Sequence, residues 1–240
     1  MFRDAYKTVT EKTSSSLTSK LHYTLWKAVA EDEEMCAYYA VMMSLPFQYG
    51  FAHPRWTREI DCMLEKTQGE RKIHLLRIIG IVEGDLNQAL KILFTRQLMW
   101  NAEKTGMTPN QWGGRSNRSA PDCASRKLLT FEYKRYMKHP IASFFSDLAN
   151  CFDRMMPRLS SLVSMKKGMA KSVCECRAKV MRQMKRHVRT GAGISDEVYQ
   201  ENEGDTPLEG EIQGKGDVMG LWALTSDAIL SVHRRLRPPI

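Results

Sequence analysis

The residues best suited to chemistry lie within residues 144–155, of sequence FFSDLANCFDRM. The apolar residues 141–145 predict a buried strand that ends at Asp147, and Phe152 follows five residues later. Such a strand fixes a carboxylate at the edge of a sheet, and Mg²⁺ prefers carboxylate oxygens together with substrate phosphates. The pattern therefore predicts a metal site at Asp147, although the same pattern also has a structural role in many α/β proteins.

Two further segments carry groups that could handle a nucleotide. Residues 211–217, EIQGKGD, form a Gly-rich turn that precedes an apolar helix predicted over residues 221–236. Residues 72–79, KIHLLRII, predict a strand that contains Arg77, and Lys66 lies at the start of the turn that precedes it. Extended Lys and Arg side chains on a hairpin can grip a triphosphate, Arg in bidentate fashion. The alternative is that they are ordinary charges on an edge strand.

Together these segments resemble reverse transcriptases, most closely those of non-LTR retroelements and group II introns. Asp147 and Phe152 match motif A of the family's palm, in which four residues separate an Asp from an aromatic residue. Gln213-Gly214 matches the turn of motif B, and KIHLLRII resembles the fingers hairpin. The loop at residues 112–119, WGGRSNRS, resembles the element between fingers and palm that lies along the template. Four motifs thus occur in the family's order.

The resemblance implies RNA-directed DNA synthesis by two-metal nucleotidyl transfer, in which carboxylates bridge both Mg²⁺ ions. Asp147 would supply the first catalytic carboxylate and would be a Mg²⁺ ligand. Phe152 would lie under the sugar of the nucleotide and admit or reject a 2′-hydroxyl by steric contact. Gln213 and Gly214 would position the template and the nucleotide.

The partners implied are an RNA template, an RNA–DNA duplex and a deoxynucleoside triphosphate. Lys66 and Arg77 would contact the incoming nucleotide. Arg115 and Arg118 lie in the basic loop at residues 112–119, where backbone amides and Arg side chains suit a phosphate backbone.

The sequence departs from the family pattern in ways that bear on catalysis. Val218-Met219 stands where motif B usually has Ser-Pro, and Ile78 stands where the fingers hairpin usually has Pro. No Asp-Asp pair occurs in the 240 residues, although in the family such a pair follows motif B on a palm hairpin. Asp153 is no substitute, because it is expected to begin and cap the next helix. One carboxylate cannot hold two Mg²⁺ ions in register, so we expect a truncated and inactive fragment and leave its status as an enzyme open.

Charge is unevenly distributed along this chain of net charge +9. Residues 154–190 contain eleven Lys and Arg and one acid, whereas residues 195–217 contain eight acids and one Lys. The basic segment is predicted to be a long helix, with Lys185, Arg186 and Arg189 as its nucleic-acid contacts. A basic surface of this kind indicates a polyanionic partner on one face, and the alternative is a solvated helix face.

These patterns predict an α+β fold of the right-hand polymerase type, with fingers and a partial palm, many helices and a small antiparallel sheet. The predicted regions are a helical connector with a polar tail at 1–64, fingers at 65–140, and a partial palm with motifs A and B at 141–240. Individual elements are predicted as helices at 20–43, 55–64 and 84–100, a palm strand at 141–146, and a hairpin at 198–212.

The cysteines and the apolar content indicate a location inside the cell. Six cysteines without a C-x-x-C pair favour reduced thiols over a disulfide framework or a metal site. No run of 18 apolar residues is present, and the N-terminal sequence lacks the apolar segment of a secretory signal. We therefore expect an intracellular protein, in nucleus or cytoplasm, that does not bind a membrane.

Two other functions remain open from the sequence. The chain could be a non-catalytic remnant of a retrotransposon protein that still binds nucleic acid through its basic face. It could also be a basic helical interaction protein whose motif matches are accidental.

Overall fold

The computed structural model describes residues 2–9, 19–70, 72–107, 111–143, 151–198, 210–211 and 213–235. Within these residues the helices and strands are, in chain order, α1 (Phe2–Lys7), α2 (Tyr23–Glu31), α3 (Glu33–Tyr49), β1 (Arg58–Glu65), β2 (Leu76–Val82), α4 (Gly84–Leu90), α5 (Met99–Thr105), α6 (Ala120–Tyr136), α7 (Pro157–Lys166), α8 (Lys171–Arg182), β3 (Lys185–Thr190), β4 (Gly193–Ile194) and α9 (Val218–Arg235). Shorter helical segments are 3₁₀ turns at Pro54–Trp56, Ile73–Leu75 and Phe152–Arg154, and a π-helix at Lys91–Leu98.

One four-stranded sheet beside many helices gives the predicted α+β class, with the strand order β2-β1-β3-β4. Two of the strand pairs are antiparallel, but β1 and β3 are parallel, with Glu59 opposite Arg186. The prediction of an antiparallel sheet is therefore wrong for the central pair. A parallel pair needs a long connection, and the chain supplies one, since β3 follows α7 and α8.

Parts of two segments that the sequence predicts to be helical form strands in the structure. Residues 58–65 form β1 and not the end of a helix, because pairing with β2 on one side and β3 on the other buries Ile60. The predicted basic helix extends past residue 182, but α8 ends at Arg182 and residues 185–190 form β3. Val188 and Thr190 are β-branched and suit a strand, so tertiary pairing and local propensity agree here.

The predicted palm strand at residues 141–146 is wrong where it can be checked. Residues 141–143 have no regular secondary structure, and Ile141 is 48% exposed. Residues 144–150, which include Asp147, lie outside the described residues, and so does most of the hairpin predicted at 198–212. The predicted strand at 72–79 is confirmed from Leu76 onward, where β2 begins.

A helix with an unusual middle section forms the centre of the molecule. The helix predicted at 84–100 is confirmed and continues to Thr105, with the π-helix Lys91–Leu98 between α4 and α5. Leu86, Leu90 and Leu98 of this helix are buried in the main hydrophobic cluster, and Leu93 is partly buried against it. α9 packs closely on the π-helix, because a Cβ added at Gly220 would lie 2.7 Å from the carbonyl oxygen of Phe94.

The main core brings together residues from distant parts of the sequence. Phe47 of α3, Val82 of β2, Val180 of α8 and Leu221 of α9 all belong to the same buried cluster. A second, smaller cluster joins α1 and α2 around Trp26. The residue boundaries predicted for connector, fingers and palm stay predictions. None of the helices in the described ranges is long and apolar enough to cross a membrane.

Candidate functional site

The Gln213-Gly214 turn lies against the outer edge of β2. The backbone N–H of Gly80 donates a hydrogen bond to the carbonyl oxygen of Gln213 at 2.9 Å. Gly214 has φ +114°, and a Cβ added there would lie 2.8 Å from the carbonyl oxygen of Gly80. Only glycine fits both the dihedral angle and this approach of two backbones. The turn is thereby attached to the strand that carries Arg77.

The residues around Phe152 contact the beginning of the same turn segment. The N–H of Glu211 donates to the carbonyl oxygen of Phe152 at 2.7 Å, and the N–H of Gly210 donates to that of Met155 at 3.0 Å. A Cβ at Gly210 would lie 2.6 Å from the carbonyl oxygen of Asp153. The structure therefore brings residues 152–155 next to residues 210–211, with Phe152 partly buried against the main core.

A buried arginine of α8 holds both ends of the turn segment. Arg177 Nε donates to Asp217 Oδ2 at 2.6 Å, and Arg177 Nη2 donates to Glu211 Oε2. All three side chains are at most 2% exposed. Burial lowers the pKa of Arg177, but Glu211 and Asp217 outweigh that effect and raise the pKa above its ordinary value. Arg177 is therefore a permanent cation that fixes the backbone on either side of Gln213.

A second ionic contact joins the turn to the centre of the sheet. Lys215 Nζ and Arg186 Nε each lie 3.5 Å from Glu59 Oε2. Burial raises the pKa of Glu59, while Lys215 and Arg186 act in the opposite direction. The N–H of Gly216 also donates to Asn87 Oδ1 at 2.6 Å, so the turn is attached to α4 as well.

Lys66 and Arg77 lie at the same end of the β1–β2 hairpin. Arg77 is paired in register with Leu64, and Lys66 comes directly after Glu65, the last residue of β1. Both cations are exposed. Arg77 precedes Gly80 by three residues, which along a strand is about 10 Å. The hairpin thus places two available cations beyond the edge where the Gln213-Gly214 turn is attached.

The acids of this region do not form a Mg²⁺ site by themselves. In the part of the chain that the structure describes, no group of three or more His, Cys, Asp or Glu side chains could hold a metal ion. Glu211 and Asp217 bond to Arg177, and Glu59 lies beside Lys215, so these carboxylates face cations. The predicted metal ligand, Asp147, falls outside the described residues.

The two arginines predicted to contact the template have partners within the chain. Arg115 makes two hydrogen bonds to the carboxylate of Glu103, and its side chain is only 6% exposed. Arg118 donates to the carbonyl oxygen of Gln111 at 3.4 Å and lies over the ring of Trp112 at 5.0 Å. Arg115 in particular orders the loop and has little surface left for a phosphate.

The three basic residues predicted on a helix are divided between the two faces of β3. Successive side chains of a strand point to opposite faces, so Lys185 and Arg189 share a face and Arg186 points to the other. Lys185 and Arg189 are exposed, whereas Arg186 is buried beside Glu59. Of the three, only Lys185 and Arg189 offer an accessible charge to a polyanion.

Sequence reasoning did not single out Arg177 or Glu59, which hold this region together. Arg177 interrupts the apolar stripe of α8 directly after Cys176, and a charge at a core position is the signal that could have identified it. Glu59, Ile60 and Asp61 are consecutive buried residues of β1. Two acids on either side of one isoleucine are typical of an exposed helix, so the sequence gives no sign of this burial.

Comparison of the chain with models of known protein families, and with curated proteins, finds no match. The described residues therefore indicate a function only through their chemistry. This region combines a turn held by several contacts, the backbone of Phe152 beside the start of that turn, and two exposed cations on the adjoining hairpin. This set of groups suits a phosphorylated ligand.

Proposed function

We propose that these 240 residues are a fragment of a retroelement reverse transcriptase that holds fingers and part of a palm and handles a nucleotide on an RNA template. The observation that carries the proposal is the attachment of the Gln213-Gly214 turn to β2 through Gly80. Residues that resemble motif B and the fingers hairpin are far apart in the sequence and meet in the structure, as a shared nucleotide site requires.

The residues of the chain then have distinct roles toward the nucleotide. Lys66 and Arg77 neutralise the triphosphate from the hairpin, since phosphoryl-transfer sites depend on cations around the transferring group. Phe152 lies under the sugar. Gln213 and Gly214 position the base and the template. The ionic contacts of Arg177 hold the turn rigid, which keeps these groups in register.

In this proposal Asp147 is the one residue assigned as a Mg²⁺ ligand. When bound, the metal would supply charge neutralisation for the phosphoryl group. Because Glu211, Asp217 and Glu59 face cations of the chain and the sequence contains no Asp-Asp pair, we expect no primer extension by the 240 residues alone.

Nucleotide binding tests the proposal directly. Arg77→Gln should weaken binding of a fluorescent deoxynucleoside triphosphate by about tenfold, the effect of one charge-assisted contact. Arg96→Gln, at an exposed arginine to which no binding role is assigned, is the matched control and should leave the affinity unchanged. Equal affinities for the chain and Arg77→Gln, or no nucleotide binding at all, would refute the assignment of this site.

A non-catalytic role in nucleic-acid binding is the second candidate function. It is favoured by α6, in which no residue is buried. Tyr133 and Tyr136 are exposed on this helix beside Lys134 and Arg135. Aromatic rings and cations on one exposed helix suit stacking on bases and contact with phosphates. Binding of single-stranded RNA without nucleotide binding would favour this candidate.

A further inference from the structure

Helices α7 and α8, together with the beginning of β3, surround a cavity that the proposed polymerase function does not use. Its volume is about 550 Å³, and it is referred to below as the α7–α8 cavity. Sites for small ligands usually measure roughly 300–1,000 Å³, so the cavity is large enough for one such molecule.

The wall of the α7–α8 cavity is mostly apolar. Its apolar lining consists of Met156, Pro157, Leu162, Met165, Ala178 and Met181. Leu162 is 59% exposed, and a ligand that covers it removes apolar surface from water. Methionine side chains are flexible and polarisable and adapt to ligands of different shape. The wall therefore favours a ligand with an apolar body.

The rim of the cavity has an excess of positive charge. Five basic side chains line it beside a single acid, Glu175. Three of them are compensated by carboxylates of the chain: Arg177 by Glu211 and Asp217, Arg186 by Glu59, and Lys171 by Glu175. The other two, Arg158 and Arg182, have no hydrogen bond or ion pair in the described part of the chain. They are free to hold an anionic group, and arginine binds carboxylates and phosphates in bidentate fashion.

The start of α7 adds to this positive charge. Arg158 is the second residue of α7, and the preceding residue, Met156, offers no side-chain acceptor to the first N–H groups of the helix. The first N–H groups of a helix carry the positive end of its dipole and favour a nearby anion. The apolar wall and the anion-binding rim are thus parts of one cavity.

We propose that the α7–α8 cavity binds a small amphipathic anion. The acidic head group pairs with Arg158 and Arg182, and the apolar body lies against the methionines and Leu162. The site shares no ligand-binding residue with the proposed nucleotide site, so the two proposals stand or fall separately.

Calorimetric titration of the full chain with decanoate, kept below its micelle concentration, tests the proposal. We expect one decanoate to bind per chain, and decyltrimethylammonium, which has the same tail and the opposite charge, to bind at least tenfold more weakly. Arg158→Gln combined with Arg182→Gln should weaken decanoate binding about 100-fold, or tenfold for each charge-assisted contact. Leu162→Asp should also weaken it, because it places a negative charge in the apolar wall.

Two controls separate this site from general attraction to a basic protein. Arg96→Gln combined with Lys104→Gln removes the same charge from two exposed positions to which no binding role is assigned and should leave decanoate binding unchanged. Equal binding of the two amphiphiles, or unchanged binding after the Arg158 and Arg182 substitutions, would overturn the proposal. Binding of the chain to vesicles of phosphatidylcholine and phosphatidic acid without binding of free decanoate would also overturn it, since the partner would then be a lipid surface.

Discussion

Replacement of Arg177 by Met tests whether the buried ionic contacts hold the turn segment. Methionine keeps most of the volume of the arginine stem but leaves the carboxylates of Glu211 and Asp217 buried without their cation. Removing one partner of a buried ion pair typically destabilises a protein by about 3–5 kcal/mol. Because the total stability of a domain is about 5–15 kcal/mol, we expect Arg177→Met to remove a large share of it.

Urea denaturation followed by circular dichroism measures this loss. Arg182→Met changes an exposed arginine on the same helix and should alter the free energy of unfolding by less than about 0.5 kcal/mol. Adding Glu211→Gln and Asp217→Asn to Arg177→Met removes the buried charges and should restore part of the lost stability. A loss of less than about 1 kcal/mol in Arg177→Met would refute the reasoning, because it would mean that water already compensates the two acids.

The same variant should depend on pH in a defined direction. Burial raises the pKa of Glu211 above its ordinary value near 4.5, and Arg177 partly offsets the rise. Without Arg177 the folded-state pKa rises further, so the folded state binds a proton that the unfolded state has lost. Stability then falls as pH increases from about 4.5 through the raised pKa. The deficit of Arg177→Met should therefore be smaller at about pH 5 than at about pH 7.

The remaining predictions concern the turn, nucleic-acid binding, catalysis and thiol chemistry. Gly214→Ala should destabilise the chain by about 2 kcal/mol or more in urea denaturation, since its Cβ would meet the backbone of β2; an unchanged midpoint would contradict the close approach. The chain should bind an RNA–DNA duplex with strong salt dependence, and Lys185→Glu with Arg189→Glu should lower the slope by about one per lost phosphate contact; affinity that ignores salt between about 50 and 200 mM would argue against this surface. Primer extension should require an added palm hairpin that carries the family's Asp-Asp pair and should disappear on Asp147→Ala in that extended protein, whereas extension by the 240 residues alone, lost on Asp147→Ala, would overturn the proposal. Burial raises the pKa of the Cys176 thiol to about 12, so iodoacetamide should leave it unmodified in the folded chain at neutral pH, as peptide mapping by mass spectrometry would show.

The sequence predicts helices well where the apolar stripe decides the structure. Leu86, Leu90 and Leu98, and then Val180 of α8, are buried as their spacing indicates. It fails for β1, because the alternation of acids with Ile60 resembles a polar helix until the partner strands are known. Strand pairing is a long-range property, and the local pattern of residues does not reveal it.

For the candidate site, too, the sequence predicts some features and misses others. The spacing of the motifs could be read from the sequence, and the structure brings Gln213, Phe152 and the Arg77 strand near one another. The sequence does not indicate which of these charges are exposed. Lys185 and Arg186 are adjacent basic residues, yet only Arg186 is buried. That difference arises from the parallel pairing of β3 with β1, which turns Arg186 toward Glu59.

The contact between Gly80 and Gln213 also bears on the solubility of the chain. β2 is an outer strand of the sheet, and its sequence LRIIGIV is rich in isoleucine and valine with one charge, Arg77. An open strand of this composition is a template for pairing with other chains and for amyloid-like aggregation. The opposite edge is formed by β4, which has only two residues and offers little to pair with. The turn at Gln213 therefore occupies this edge at Gly80, and variants that release it should aggregate more readily than the unsubstituted chain.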